Sequence, residues 1–351
     1  MRPLLLGWSS AGVGSIAQLL RKHWMSEAFE YKVKGFFARI PSEPHKLIER
    51  TTPTKDCIVL CHLGVLEVSD GDAWEIEIAG MIGRPMRVTV RDLKRMPKVT
   101  VASVHQCAGS PLAPDKPTQR VCNVTWGGVR LDDVLQRVEP DPEAAFVWSI
   151  GADAGEFGGA DCGHYTKDLP RSRVGADVLL AYEMNGEPLL PEHGHPLRLV
   201  VPGFYGTNSV KWLRRIELRK ERAPGPFTTR WYNDVVAEGV TRPVWNIAPQ
   251  SVIVWPVPGT SLEREAVVRV SGWAWADGGV AGVKISLDEG LSWKACAVEK
   301  PTGHSWTQFM CDFEVAAGQQ SIVSRATSRS GENQPDDGKR NALYRVPFTV
   351  V

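Results

Sequence analysis

The stretch Thr100–Asp115, TVASVHQCAGSPLAPD, decides how this chain is read. The residues from Val99 to Val104 are rich in β-branched side chains and predict a strand. The run breaks at Cys107-Ala108-Gly109 into a loop carrying Pro111, Pro114 and Pro117. A thiol therefore stands where a strand ends and small residues let other atoms approach the backbone. Such a place suits a metal ligand or a nucleophile. It equally suits a packed cysteine, because free cysteines are among the most buried residue types. The stretch alone leaves both readings open.

Upstream, Trp74, Ile76 and Ile78 alternate with Glu75, Glu77 and Ala79, the period of a half-buried strand. Met86–Val90 predicts a second strand, and Val90–Lys94 opens a short helix. Downstream, Trp126-Gly127-Gly128 reads as a turn before a helix over 132–138. Ala145–Ile150 reads as a buried strand, followed by a glycine-rich loop holding His164 and Tyr165. Strands are expected over 178–184, 197–201 and 210–218, with Asn185-Gly186 as a hairpin turn. A proline-rich boundary, with Pro224, Pro226, Pro243 and Pro249, separates this region from a series of short β runs. Their regular spacing after Val267 reads as an antiparallel sandwich.

The 351 residues suffice for two or three domains. A net charge of +1 gives no footprint of a nucleic-acid binder. Seven cysteines, scattered and odd in number, form neither a C-x-x-C zinc pair nor a disulfide framework, and Cys57-x-x-x-Cys61 has no matching second pair. No apolar run reaches the roughly 18 residues of a membrane span. The first 25 residues hold no acid and carry Arg2, Arg21 and Lys22, compatible with a mitochondrial presequence or with a plain N-terminal extension. The compartment stays open between mitochondrial and cytoplasmic.

The order of motifs resembles the sulfite oxidase family of molybdenum–molybdopterin enzymes. It rests on His105-Gln-Cys107-Ala-Gly109, Trp126-Gly-Gly-Val-Arg-Leu-Asp-Asp-Val134, Leu179–Gly186, His193-Gly-His-Pro-Leu-Arg198, Val201-Pro-Gly203 and Val210-Lys-Trp-Leu213. Gly272-Trp-Ala-Trp275, Ile285–Gly290 and Trp293 are similar to the family's C-terminal dimerisation domain. The resemblance implies a mixed α+β molybdopterin-binding domain over 61–240, after an N-terminal extension over 1–60. An immunoglobulin-like β-sandwich over 241–351 would follow and make a homodimer. It implies oxidation of sulfite to sulfate by oxygen-atom transfer, with electrons leaving to a separate acceptor, a cytochrome or oxygen. A related enzyme for another sulfur compound, and a cofactor-binding dimer without catalysis, remain as alternatives.

By the same resemblance Cys107 is the molybdenum ligand, and a soft thiolate suits that metal. His193, Arg198 and Lys211 would hold the pterin phosphate, with Ser209 and Val210 offering backbone contacts. Asp153 would accept pterin N–H groups, Tyr232 would face the metal or substrate, and Arg39 would match a basic residue after an aromatic pair. Each has a plainer reading. His193 and His195 also form a zinc-like H-x-H pair, Asp153 suits a turn cap, Arg198 and Lys211 suit a solvated strand face, and Tyr232 suits an exposed linker.

Two departures from the family stand out. Leu112 takes the place of an arginine after Cys-Ala-Gly, and Val280 the place of a second arginine in the C-terminal domain. Each lost charged hydrogen bond is worth about 1.5–3 kcal/mol of anion binding. The metal site is therefore expected to be kept and the sulfite site altered, unless Lys116, Arg120 or Lys284 restores the charge.

Overall fold

The computed structural model describes residues 29–40, 43–109, 120–263, 267–315, 317–336 and 339–351. The basic N-terminal segment, and the loop with Leu112 and Lys116, lie outside the described residues.

Two sheets organise the first half. One has five strands in the order Ala160–Pro170, Phe146–Phe157, Leu213–Arg219, Glu75–Gly80 and Met86–Thr89. The Leu213–Arg219 and Glu75–Gly80 strands run parallel, and the other neighbours antiparallel. The second sheet orders Glu187–Pro188, Leu179–Met184, Val121–Arg130 and Val99–Gln106, with Arg198–Val200 also paired to Leu179–Met184. The alternation read around Trp74 holds: Ile76 and Ile78 are buried, Glu75 and Glu77 only partly so. Thr89 and Asp92 make a reciprocal capping box that starts the short helix Val90–Leu93.

Strands dominate the expected mixed architecture. The described α-helices, Val90–Leu93, Leu131–Leu135 and Pro226–Thr229, are about one turn each. Frequent glycine and proline end each apolar run before a long helical face develops.

Three local expectations are corrected. Trp126-Gly127-Gly128 is not a turn but lies inside the strand Val121–Arg130. A Cβ at Gly128 would stand 2.2 Å from the Leu180 carbonyl oxygen, so the glycine serves close strand approach. The glycine-rich segment after Asp153 is a long hairpin, and His164 and Tyr165 sit on its second strand. Register shifts around His164 absorb the irregular glycines. The strand expected over 210–218 begins only at Leu213, because Trp212 holds a positive φ of 46°.

In the second half two sheets face each other across one apolar core. The first orders Gln250–Trp255, Val267–Trp275, Thr307–Glu314 and Ala297–Val298. The second orders Thr260–Leu262, Arg345–Val350, Gly318–Ser328, Val280–Ser286 and Lys294–Ala295. Val270, Phe309, Ile285, Ile322 and Phe348 belong to the core between them. No described helix is long and apolar enough to cross a membrane.

The halves meet behind the strand that leads to Cys107. Gln106 Nε2 donates to Gln250 Oε1 (2.5 Å) and Asn341 Oδ1 (2.8 Å), while Trp275 Nε1 donates to Gln106 Oε1 (2.9 Å). All four side chains are buried.

Candidate active site

The Val99–Gln106 strand delivers Cys107 to a cavity of about 660 Å³, its open mouth included. Cys107, Asp153, His193, Arg198, Ser209, Lys211 and Tyr232 all line it. Strand ends and short loops bring them there from five separate stretches of the chain.

On one side stand charged groups. Asp153, His193 and Arg198 are 4%, 3% and 3% exposed. Arg198 donates from Nη1 to the His193 carbonyl (3.0 Å) and from Nη2 to the Ser209 carbonyl (2.9 Å). Its guanidinium lies 4.8 Å from the centre of the Trp126 ring. Lys211 Nζ donates to the carbonyls of Leu60 and Glu192, each at 3.1 Å, and sits 2.7 Å from Cys61 Sγ. Neither cation has a hydrogen-bonded carboxylate among these partners. Burial holds the Arg198 guanidinium down to about 10. Burial, then the charges of Arg198 and Lys211, push His193 down to about 3, so its ring is neutral near pH 7. Burial drives the Asp153 carboxyl up to about 7, with the Lys211 charge pulling the other way. Asp153 Oδ1, His193 Nε2 and Arg198 Nε are buried without a hydrogen-bond partner.

Those unpaired atoms test whether a molybdopterin fits. Buried polar atoms are normally satisfied. Buried Arg198 and half-buried Lys211 have no hydrogen-bonded carboxylate and suit an anion such as a phosphate. An orphaned carboxyl oxygen calls for donors, and a pterin's N–H groups supply them. The residues present fit the group.

A second group of lining residues surrounds Tyr232 and Cys107. Tyr232 Oη and His62 Nε2 are 2.7 Å apart. Burial, and after it the charge on Cys107, raises the Tyr232 phenol. Burial and then the charges of Lys211 and Lys167 push His62 down to about 4, so its imidazole is neutral there too. Tyr232 holds a positive φ of 59°, rare for a bulky residue and costly. Lys167, 2% exposed, donates to the Phe227 carbonyl (2.8 Å) and lies 5.1 Å from the Tyr232 ring centre. The thiol's own loop is held by two arginines: Arg120 Nη1 donates to the Gly109 carbonyl (3.0 Å), and Arg340 Nε to the Ala108 carbonyl (2.7 Å). Arg340 also binds both oxygens of Asp234, at 2.8 and 2.9 Å.

Three residues read from sequence stand elsewhere. Val210 is buried in the core of the first half, its carbonyl taken by the Leu199 N–H (2.8 Å). Arg39 does not line the cavity; it pairs with Glu192 at 3.2 Å, and its charge also acts on His193. Val280 packs in the core between the two C-terminal sheets and does not line the cavity. Among the described residues no three His, Cys, Asp or Glu side chains gather as a metal-ion site, so the His193/His195 zinc alternative finds no support.

Cys61, His62, His105 and Glu192 line the cavity but were not singled out as site residues. Cys61-His62 ends the apolar strand Val59–Cys61 much as His105-Gln106-Cys107 ends its own, and that parallel was a usable signal. Arg340 carried none, since it lies in a polar turn far along the chain.

The comparisons decide the family. The Oxidoreductase molybdopterin binding domain matches residues 62–227, and the Mo-co oxidoreductase dimerisation domain matches 241–346. The sulfite oxidase of Gallus gallus is 32% identical over 337 residues, 86% of this chain and 72% of that protein. The chain belongs to the sulfite oxidase family. The mitochondrial sulfite oxidase of Rattus norvegicus is 30% identical across 86% of this chain, and that match spans 62% of the rat protein. Among solved structures, the sulfane dehydrogenase SoxCD of Paracoccus pantotrophus superimposes with a TM-score of 0.75 at 26% identity. That likeness covers 97% of this chain and 92% of the other. As a sulfite oxidase family member the chain is an oxidoreductase, and its cofactor is molybdenum–molybdopterin.

Proposed function

We propose that this enzyme oxidises a sulfur oxyanion, sulfite to sulfate, and passes electrons to a separate acceptor, a cytochrome or oxygen. The observation that carries the reading is one cavity holding a loop thiol, a strained tyrosine and two cations, Arg198 and Lys211, that hydrogen-bond no carboxylate. When bound, the cofactor supplies two-electron oxidation with oxygen-atom transfer. Cys107 holds the metal. Asp153, His193, Arg198 and Lys211 hold the pterin and its phosphate, and Ser209 acts through its carbonyl by fixing Arg198. Tyr232 presents its hydroxyl to substrate, and His62 fixes that hydroxyl. Arg39 acts at one remove, by fixing Glu192.

The division at about residue 240 and an immunoglobulin-like character for the second half belong to the same proposal. So does a two-fold homodimer formed through that half. A strictly monomeric mass by light scattering at micromolar protein removes the dimer.

A second reading has its own support. Ile58 and Leu60 make part of the cavity wall apolar, and SoxCD is titled a sulfane dehydrogenase. Under it the substrate is a less charged sulfur compound. The test is metal and pterin analysis of purified protein, then a sulfite titration with ferricyanide as acceptor. About one molybdenum per chain with saturable sulfite turnover supports the first reading. Full loading without sulfite turnover selects the second, and an empty protein rejects both.

A further inference from the structure

Lys211 Nζ and Cys61 Sγ lie 2.7 Å apart, closer than the contact distance of a nitrogen and a sulfur atom. The amine is held there by the Leu60 and Glu192 carbonyls, both at 3.1 Å. The thiol is held in turn, at 3.8 Å from the Glu192 carbonyl. Both side chains line the cavity, so a small oxidant that enters it meets the pair although Cys61 is only 1% exposed. Two single bonds through one oxygen atom span such a gap without moving the backbone.

We propose that Cys61 and Lys211 form a covalent N–O–S link under oxidation by a peroxide, and that the link removes Lys211 from cofactor binding. The first hydrogen peroxide converts the thiol to a sulfenic acid and leaves one water. The second oxidises the sulfenic O–H and the neutral amine together. One N–H and the O–H bond break, the O–N bond forms, and two waters leave. In total Cys–SH, Lys–NH₂ and two H₂O₂ give Cys–S–O–NH–Lys and three H₂O. Sulfur and nitrogen each lose two electrons, and the peroxides take up all four.

The link has a consequence at the site. A nitrogen bonded to oxygen is weakly basic, so the cavity loses the Lys211 cation from its lining. Pterin phosphate then has one anchor fewer. Conversely, a phosphate that engages Lys211 draws the amine from Cys61 and blocks the link. Oxidation and loading thus exclude each other. This last step rests on Lys211 being a phosphate anchor, as proposed above, whereas the link itself does not.

The experiment treats the full chain with hydrogen peroxide, both molybdopterin-loaded and cofactor-free, and maps peptides by mass. The expected species joins the Cys61 and Lys211 peptides, one oxygen heavier and two hydrogens lighter than their sum. It disappears with dithiothreitol and is absent from Cys61→Ser and Lys211→Arg, whose folding circular dichroism checks. Loaded protein is expected to be protected, and oxidised cofactor-free chain to take up severalfold less pterin. Cys61 recovered only as sulfinic acid or as a mixed disulfide overturns the proposal. So does a direct S–N link, two hydrogens lighter and without the oxygen. Equal linking in loaded and free protein keeps the link but overturns the exclusion, and with it the phosphate role of Lys211.

Discussion

The two sides of the cavity solve opposite electrostatic problems. Arg198 and Lys211 are held by carbonyls and, for Lys211, the Cys61 sulfur, with no carboxylate hydrogen-bonded to either, so their field is left for an incoming anion. Around Cys107 the charge of Arg340 is already spent. Arg340 is bound by Asp234, and Tyr232 is held by a histidine that burial keeps neutral. An uncompensated buried charge is costly, and a protein keeps one where a ligand will neutralise it. The first side is thus built to hold, the second to orient.

The largest expected effect separates the two outright. Cys107→Ser is expected to abolish turnover while pterin content per chain stays near wild type. A fully active serine variant removes the ligand assignment. Arg198→Ala, on the other side, is expected to lower cofactor occupancy severalfold with little change in the Michaelis constant of what remains loaded. It also frees two carbonyls, each losing a charge-assisted bond worth about 1.5–3 kcal/mol, so thermal stability falls as well. Full occupancy with a raised Michaelis constant would move Arg198 to the substrate.

The holding side was more legible in the sequence than the orienting side, because its residues sit inside contiguous motifs. Arg198 and Lys211 came to the cavity through the runs His193–Arg198 and Val210–Leu213 that carry the family resemblance, whereas their local pattern alone suits a solvated strand face. Val210, two residues before Trp212, looked equally well placed. The positive φ at Trp212 lies between Val210 and the strand start at Leu213, a turn that periodicity does not encode. Arg340 comes to Ala108 from 232 residues away, and only tertiary packing creates that contact. Gly127-Gly128 looked like a turn because glycine's local preference was read without the strand that presses on it.

A smaller effect probes how firmly the orienting charges are spent. Wild-type sulfite turnover is expected to depend weakly on ionic strength, since the charge of Arg340 is already paired with Asp234. Asp234→Asn removes that pairing. It is expected to lower the sulfite Michaelis constant severalfold and steepen its salt dependence, as read from steady-state kinetics at several salt concentrations. No change in either places Arg340 outside the substrate's reach.

The smallest effect is on stability against pH in the cofactor-free chain. Between about pH 4 and 6.5 an unfolded His62 takes up a proton that the folded one refuses, so acidification costs stability through that group. Asp153 acts with the opposite sign: folded, it keeps a proton up to about 7 that the unfolded carboxyl has lost. His62→Gln is expected to relieve the acid limb by about 1.4 kcal/mol per pH unit, and Asp153→Asn to steepen it. Denaturant melts at pH 5 and 7 check both signs, with Lys211, Lys167 and Arg198 as the charges facing these groups.

The Gln106 clamp gives the second half a stake in the chemistry. Gln106 is the residue before the thiol, and it is gripped by Gln250, Asn341 and Trp275 from beyond the proline-rich boundary. Distance along the chain is then a poor guide to the reach of a mutation. A lesion at Asn341, 235 positions from Gln106, would present as a metal-site defect in a chain whose quaternary assembly still looks sound. A chimera that exchanged the two halves with a relative would need all four of these side chains to travel as one heritable unit.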